Sequence, residues 1–211
     1  MSMTSSQRNH LRDLRKKVAR EAALLLYISQ EKEFKQAKEK AAKALGLKVL
    51  PTNSEVAEEL DLIAEEYEGG ERWSRLVRMR REALEIMEML ASFHPKLIGS
   101  VWRGTITKNS DIDIVIFSQS RETILETLRE KGLKILGVET TPSAKDGSGE
   151  AFHIFTELSS GDRVELVVRK QEDIDRKERC DIYGDLKRGL TIEQLRNILE
   201  KDPLRRFVPK R

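Results

Sequence analysis

The run Asp111-Ile112-Asp113-Ile114-Val115-Ile116 constrains this chain more than any other stretch. A period of two is a strand with one apolar face and one face carrying both carboxylates. The flanking isoleucines imply a buried strand, where an unpaired carboxylate is costly. An exposed edge strand with solvated aspartates accounts less well for them. Asp111 and Asp113 then project from one side, close enough to share divalent cations. Upstream, the apolar Leu97-Ile98 ends at Gly99-Ser100, a strand-to-helix turn whose N–H groups could hold a phosphate. A phosphate cradle beside a hard-cation site is equipment for phosphoryl or nucleotidyl transfer.

Gly99-Ser100, ten intervening residues and Asp111-Ile112-Asp113 resemble the signature of the polymerase-β-like nucleotidyltransferase superfamily, nearest in wording to its small prokaryotic members. The resemblance covers about Pro95 to Lys170. It implies an α+β fold, a small mixed sheet backed by helices. It also implies a metal-dependent transfer of a nucleoside monophosphate from an NTP to a hydroxyl acceptor, with Mg²⁺ or Mn²⁺ as cofactor. The catalytic and metal-binding residues would be Asp111, Asp113 and a third carboxylate on a later strand. Nucleotide contacts would fall to Gly99, Ser100, Arg103 and Ser110, with Arg103 approaching the triphosphate from one helical turn past the Gly-Ser pair. Small relatives include antitoxins that modify a partner toxin and enzymes that modify antibiotics. The acceptor is therefore an RNA or DNA end, or alternatively a protein or small molecule. A non-catalytic nucleotide-binding subunit is the third reading, and the intact motif argues against it.

The third carboxylate is expected at Glu165, because an acid inside the apolar strand Arg163-Val164-Glu165-Leu166-Val167-Val168 needs a reason to be there. A metal ligand is one reason. Pairing with Arg163 or Arg169 is another. Asp162 is the runner-up, although Ser159-Ser160-Gly161-Asp162 reads as a hairpin turn. Trp102 reads as core rather than as a base-stacking platform, and Lys108 as a loop charge.

Three stretches follow from pattern. Residues 1–94 read as wholly helical. Leu11, Leu14, Val18, Ala22, Leu25 and Ile28 recur at helical spacing, with a bend near Gln30 and a stop at Gly46. A second helix starts at Asn53 or Ser54 and ends at Gly69-Gly70. A third runs from Glu71 to Phe93, with Met79, Met87 and Met89 as core filler. Residues 95–170 are the catalytic core: strands at 96–98, 111–118 and 133–139, a helix at 121–131 capped by Ser120, a loop at 140–150, and a hairpin of 151–158 with 163–169. Residues 171–211 hold helices near 172–179 and 191–201 and a loosely held basic tail.

Composition narrows the rest. No run of about 18 apolar residues occurs, so no membrane span is expected, and a cytoplasmic location follows from the lack of a secretion signal. One cysteine, Cys180, excludes a disulfide framework. The three histidines, His10, His94 and His153, are scattered and read as structural or solvated. The net charge of +3 hides basic ends around an acidic middle. Six basic residues and one acid lie within residues 1–20, and thirteen basic and nine acidic residues within 169–211. Such ends suit a polyanion such as a nucleic acid, or are ordinary solvated faces.

Overall fold

The computed structural model describes residues 4–142 and 150–209. Among them are six α-helices and a five-stranded mixed sheet, an α+β fold with helices before and after the strands. Two compact units divide inside the long third helix. One holds the chain up to Arg72 together with Thr107–Asn109 and Cys180–Asp185, and the other holds the remainder.

The first unit is built on α1 (Ser5–Tyr27), α2 (Phe34–Ala44) and the first part of α3 (Asn53–Met89). Thr4 starts α1 with a reciprocal pair of side-chain bonds to Gln7, satisfying two otherwise orphaned N–H groups. Small residues let the helices approach closely: Ala19, Ala22, Ala23, Ala37, Ala41 and Ala64 are all buried. The basic face of α1 meets acids of α3. Arg15 pairs with Glu55, and Arg20 with Glu59 and Glu66, while Lys16 lies 4.0 Å from Glu59. The expected break at Gly69-Gly70 is a single non-helical residue, Gly69 (φ 50°), with helix resuming at once. That helix stops at Met89 rather than Phe93, and Ala91–Phe93 is one 3₁₀ turn. Met79 and Met87 are core, but Met89 is exposed.

The second unit is the sheet and its helices. Strand order is β1 (Lys96–Ile98), β2 (Ile112–Phe117), β5 (Arg163–Arg169), β4 (Glu150–Glu157) and β3 (Ile135–Pro142). Only β2 and β5 run parallel. Alternation decides the faces. Ile112, Ile114, Ile116, Val164, Leu166 and Val168 enter the main core with Leu76 and Met87 of α3, Leu90 just after it, Ile124 and Leu128 of α5 (Arg121–Glu130), and Leu195 and Ile198 of α6 (Ile192–Lys201). The opposite face carries only a small apolar cluster around Val115, Phe117, Ala151 and Val167. Asp113 and Glu165 share that second face.

Three expectations change. The loop at 140–150 is instead the ends of β3 and β4, and residues 143–149 lie outside the described part. The helix at 172–179 is a 3₁₀ turn, Gln171–Asp173, followed by irregular chain. Ile174 is its one apolar side chain, so a helix there would have no face to bury, and short helices depend on that burial. The tail is tied down rather than loose, at least as far as Phe207. Arg80 of α3, fully buried, donates to the carbonyls of Pro203 (2.7 Å) and Arg205 (2.9 Å). Phe207 N–H donates to Arg103 O at 3.0 Å, and its ring stacks on Trp102.

Candidate active site

The Gly-Ser turn is where the spacing puts it. β1 ends at Ile98 and α4 (Gly99–Arg103) begins at the next residue. Gly99 has φ +69°, a conformation that side chains other than glycine's strain to adopt. It is also pressed against the first strand of the motif. A Cβ on Gly99 would lie 1.8 Å from Oδ2 of Asp113 and 2.7 Å from its Cγ. Both requirements, the backbone and the empty space, are met only by glycine.

Register supplies the remaining acids. Asp113 stands opposite Ile98 on β1 and opposite Glu165 on β5. Asp111 immediately precedes β2 on the same side. Asp113 as a whole residue is half-buried, but its carboxyl is desolvated. That burial, then the charges of Glu165 and Asp111 and a hydrogen bond with Glu165, push its pKa up to about 8. Asp111 is also raised, chiefly by burial, with Arg163 opposing and Glu165 adding to the shift. Glu165 and Asp111 thus make ionisation of Asp113 harder, and Glu165 adds to the rise at Asp111. Among the described residues, no three His, Cys, Asp or Glu side chains form a ready metal cage. The carboxyls meet in pairs.

Glu165 has a partner that the sequence did not suggest. His153 of β4 brings Nδ1 to 2.5 Å from Glu165 Oε1, and its Nε2 lies 2.7 Å from the Thr141 hydroxyl of β3. With Nδ1 donating to the carboxylate, neutral Nε2 accepts from Thr141. Four side chains on four strands thus form one line, Thr141–His153–Glu165–Asp113. The histidine was read as structural or solvated. The signal that would have found it is the hairpin register, which pairs Phe155 with Glu165 and so puts His153 one pleat away on the same face.

Neither arginine weighed as an ion-pair partner is seen to pair with Glu165. Arg169 binds both carboxylate oxygens of Glu178, at 2.5 and 3.2 Å, and Arg163 acts on Asp111. Asp162, the alternative third ligand, is held by Arg78 through two 3.0 Å bonds and does not join the group. The side chain of Arg103 is buried, donates to Phe207 O at 2.9 Å and lies over the Trp102 ring. It thereby secures the tail. Trp102, 5% exposed, is core. Ser100 follows Gly99 in α4, and Ser110 leads into Asp111; both are partly buried.

Residues 96–182 match the family model of the nucleotidyltransferase domain. The resemblance of the motif to polymerase-β-like nucleotidyltransferases agrees with this match, which covers the strands that carry the acids. A comparison with curated proteins finds none that matches the chain.

Proposed function

We propose that the protein is a metal-dependent nucleotidyltransferase that moves a nucleoside monophosphate from an NTP to a hydroxyl acceptor, with Asp111, Asp113 and Glu165 as its catalytic acids. The observation that carries this reading is the Asp113 carboxyl, pressed on the glycine of the turn and hydrogen-bonded to Glu165 inside a nucleotidyltransferase domain. The donors are of the kind a hard divalent cation takes: carboxylate oxygens, with Asp113 held protonated to about pH 8 by burial and by the charges of Glu165 and Asp111, which a bound cation would offset. Asp111, Asp113 and Glu165 would hold Mg²⁺ or Mn²⁺. Such ions, when bound, neutralise the triphosphate and lower the pKa of the attacking hydroxyl.

The chain's own residues have separable tasks. Gly99 and Ser100 offer backbone and hydroxyl donors to phosphate oxygens, beside the acid that Gly99 allows to approach. Ser110 sits at the mouth of the acid-bearing strand, within the same nucleotide subsite. His153, fixed by Thr141, holds Glu165 in one orientation. Arg80 holds α4 by its carbonyls, at Val101 O (3.1 Å) and Trp102 O (3.0 Å), so the turn is set by a buried cation. A triphosphate substrate implies a cytoplasmic setting. No helix of the described residues is long and apolar enough to cross a membrane.

Each labelled NTP is to be incubated with Mg²⁺ and RNA, DNA or total protein in separate reactions, with wild-type protein and Asp113→Asn. Label should pass to one acceptor class and only with wild type. Equal transfer by both proteins would overturn the assignment.

A further inference from the structure

Beyond the acids, the open face of the sheet carries a second feature. Ile98, Val115 and Phe117 floor a cavity of about 60 Å³ whose rim holds Lys96, Arg169, Arg176, Lys187 and Arg188. Only Asp173 and Glu178 answer these five cations along the lining. Glu178 is shared three ways. Both its oxygens bind Arg169, while Lys187 Nζ is 3.8 Å and Arg176 Nε 3.9 Å away. Asp173 is 3.4 Å from Arg176. Lys96 reaches only the Ile174 carbonyl (3.4 Å) and the Phe117 ring, and Arg188 has no ion pair among the described residues. Nε of Arg169 is buried without an acceptor. Such a donor forfeits its water for nothing unless a ligand supplies an oxygen.

The rim is fixed. Leu190 and Leu97 exchange backbone hydrogen bonds, both of 2.9 Å, and dock the chain after Arg188 on the edge of β1. Gly189 (φ +66°) lets it close, since a Cβ there would lie 2.8 Å from Leu97 O. Lys187 and Arg188 are thus held beside Lys96, whereas the basic residues of α1 are partly neutralised by Glu55, Glu59 and Glu66. The cavity also adjoins the acids. Ile98 is the register partner of Asp113, and Val115 lies two residues beyond it on the same face, roughly 7 Å along the strand.

We propose that this cavity binds a phosphate group of the acceptor and so places the acceptor hydroxyl at the Asp113–Glu165 end of the face. The substrate class is a phosphate-bearing acceptor, with its apolar portion against Phe117 and Val115. This rests on the reading of those acids as the transfer site. The forked donors of arginine and the compact charge of lysine are suited to a phosphate's several oxygens.

Binding and turnover test it separately, on the full chain. Inorganic phosphate is titrated at constant ionic strength into wild type, the double variant Lys187→Ala/Arg188→Ala, and a charge-matched control, Arg129→Ala/Lys131→Ala at the C-terminal end of α5. Affinity should fall at least tenfold in the first variant and hold in the control. In transfer assays the first variant should raise the acceptor KM at least tenfold, with kcat and the NTP KM within twofold. A 3′-hydroxyl oligonucleotide and a phosphorylated small molecule are compared as acceptors, and the one whose KM responds identifies the source of the phosphate. Phosphate affinity equal in wild type and variant, or an equal loss in the control, overturns the proposal. If Asp113→Asn retains transfer while phosphate binding still depends on Lys187 and Arg188, the transfer-site reading has failed and the anion site stands.

Discussion

Asp113 offers a test that needs no substrate. Its pKa stands near 8 in the folded protein against 3.8 for an ordinary aspartate. Between those values the native state keeps a proton that the unfolded state has released. Stability must therefore fall as pH rises, by about 1.4 kcal/mol per unit for one proton. From pH 5 to pH 7 the loss is about 3 kcal/mol, and the full span approaches 6 kcal/mol before the slope ends near pH 8. Below about pH 4 both states hold the proton and the effect vanishes. Asp113→Asn removes the group, so this component should disappear and the variant should be the more stable protein at pH 8. The assay is urea unfolding of metal-free wild type and variant at pH 5, 6, 7 and 8. The difference between the two proteins isolates the one residue from all other titrations. Saturating Mg²⁺ should flatten the wild-type slope, because a bound cation favours the ionised form. Equal stability of the two proteins at pH 8, or a difference that does not change with pH, would refute the reasoning.

Other perturbations follow from contacts already described. Gly99→Ala should leave a folded protein by circular dichroism but reduce transfer at least ~100-fold, since the new methyl displaces Asp113 or the turn, and small misplacements carry that cost. Glu165→Gln should lower kcat by several orders of magnitude per folded molecule while sparing most NTP binding; near-normal turnover would remove it from the catalytic set. His153→Ala should cost roughly 10–100-fold in kcat with little change in the NTP KM, and His153→Asn, which retains a short donor, should recover part of it. Arg80→Met should destabilise by about 3–5 kcal/mol in chemical denaturation, because four backbone carbonyls lose a buried charged donor.

Local signals carried far into this structure where one principle acted alone. Alternation of isoleucine with aspartate placed β2 and its faces. Ser120 accepts from Thr123 N–H and starts α5 as its position implied, and Thr191 and Gln194 cap α6 reciprocally. Gly99 could be read as a turn, but its contact with Asp113 could not, because it joins residues on different strands. The partner of Glu165 was hidden for the same reason. It required the β4–β5 register, and a lone histidine in a strand gives no sign of what stands beside it. The contact of Arg103 with Phe207 was not legible, because spacing alone fixes neither burial nor the arrival of the tail. The two basic ends looked alike in sequence and differ in the fold. Arg15, Lys16 and Arg20 meet acids on α3, whereas Lys187 and Arg188 stand on a rim where cations outnumber acids.

The anchoring of α4 bears on how the protein is made. The helix that opens with the Gly-Ser turn is stabilised by groups encoded far downstream. Arg103 and Phe207, 104 residues apart, are joined at both backbone and side chain, and Arg80 links Val101 and Trp102 to Pro203 and Arg205. A ribosome adding roughly 5–20 residues per second leaves α4 without these partners for roughly 5–20 s after Arg103 is polymerised. Through that interval the buried charge of Arg80 lacks two of its four acceptors, and Trp102 lacks its ring neighbour. The end of the sheet at the Gly-Ser turn is thus finished last, and nascent chains stalled before Pro203 should present it open to proteases and chaperones.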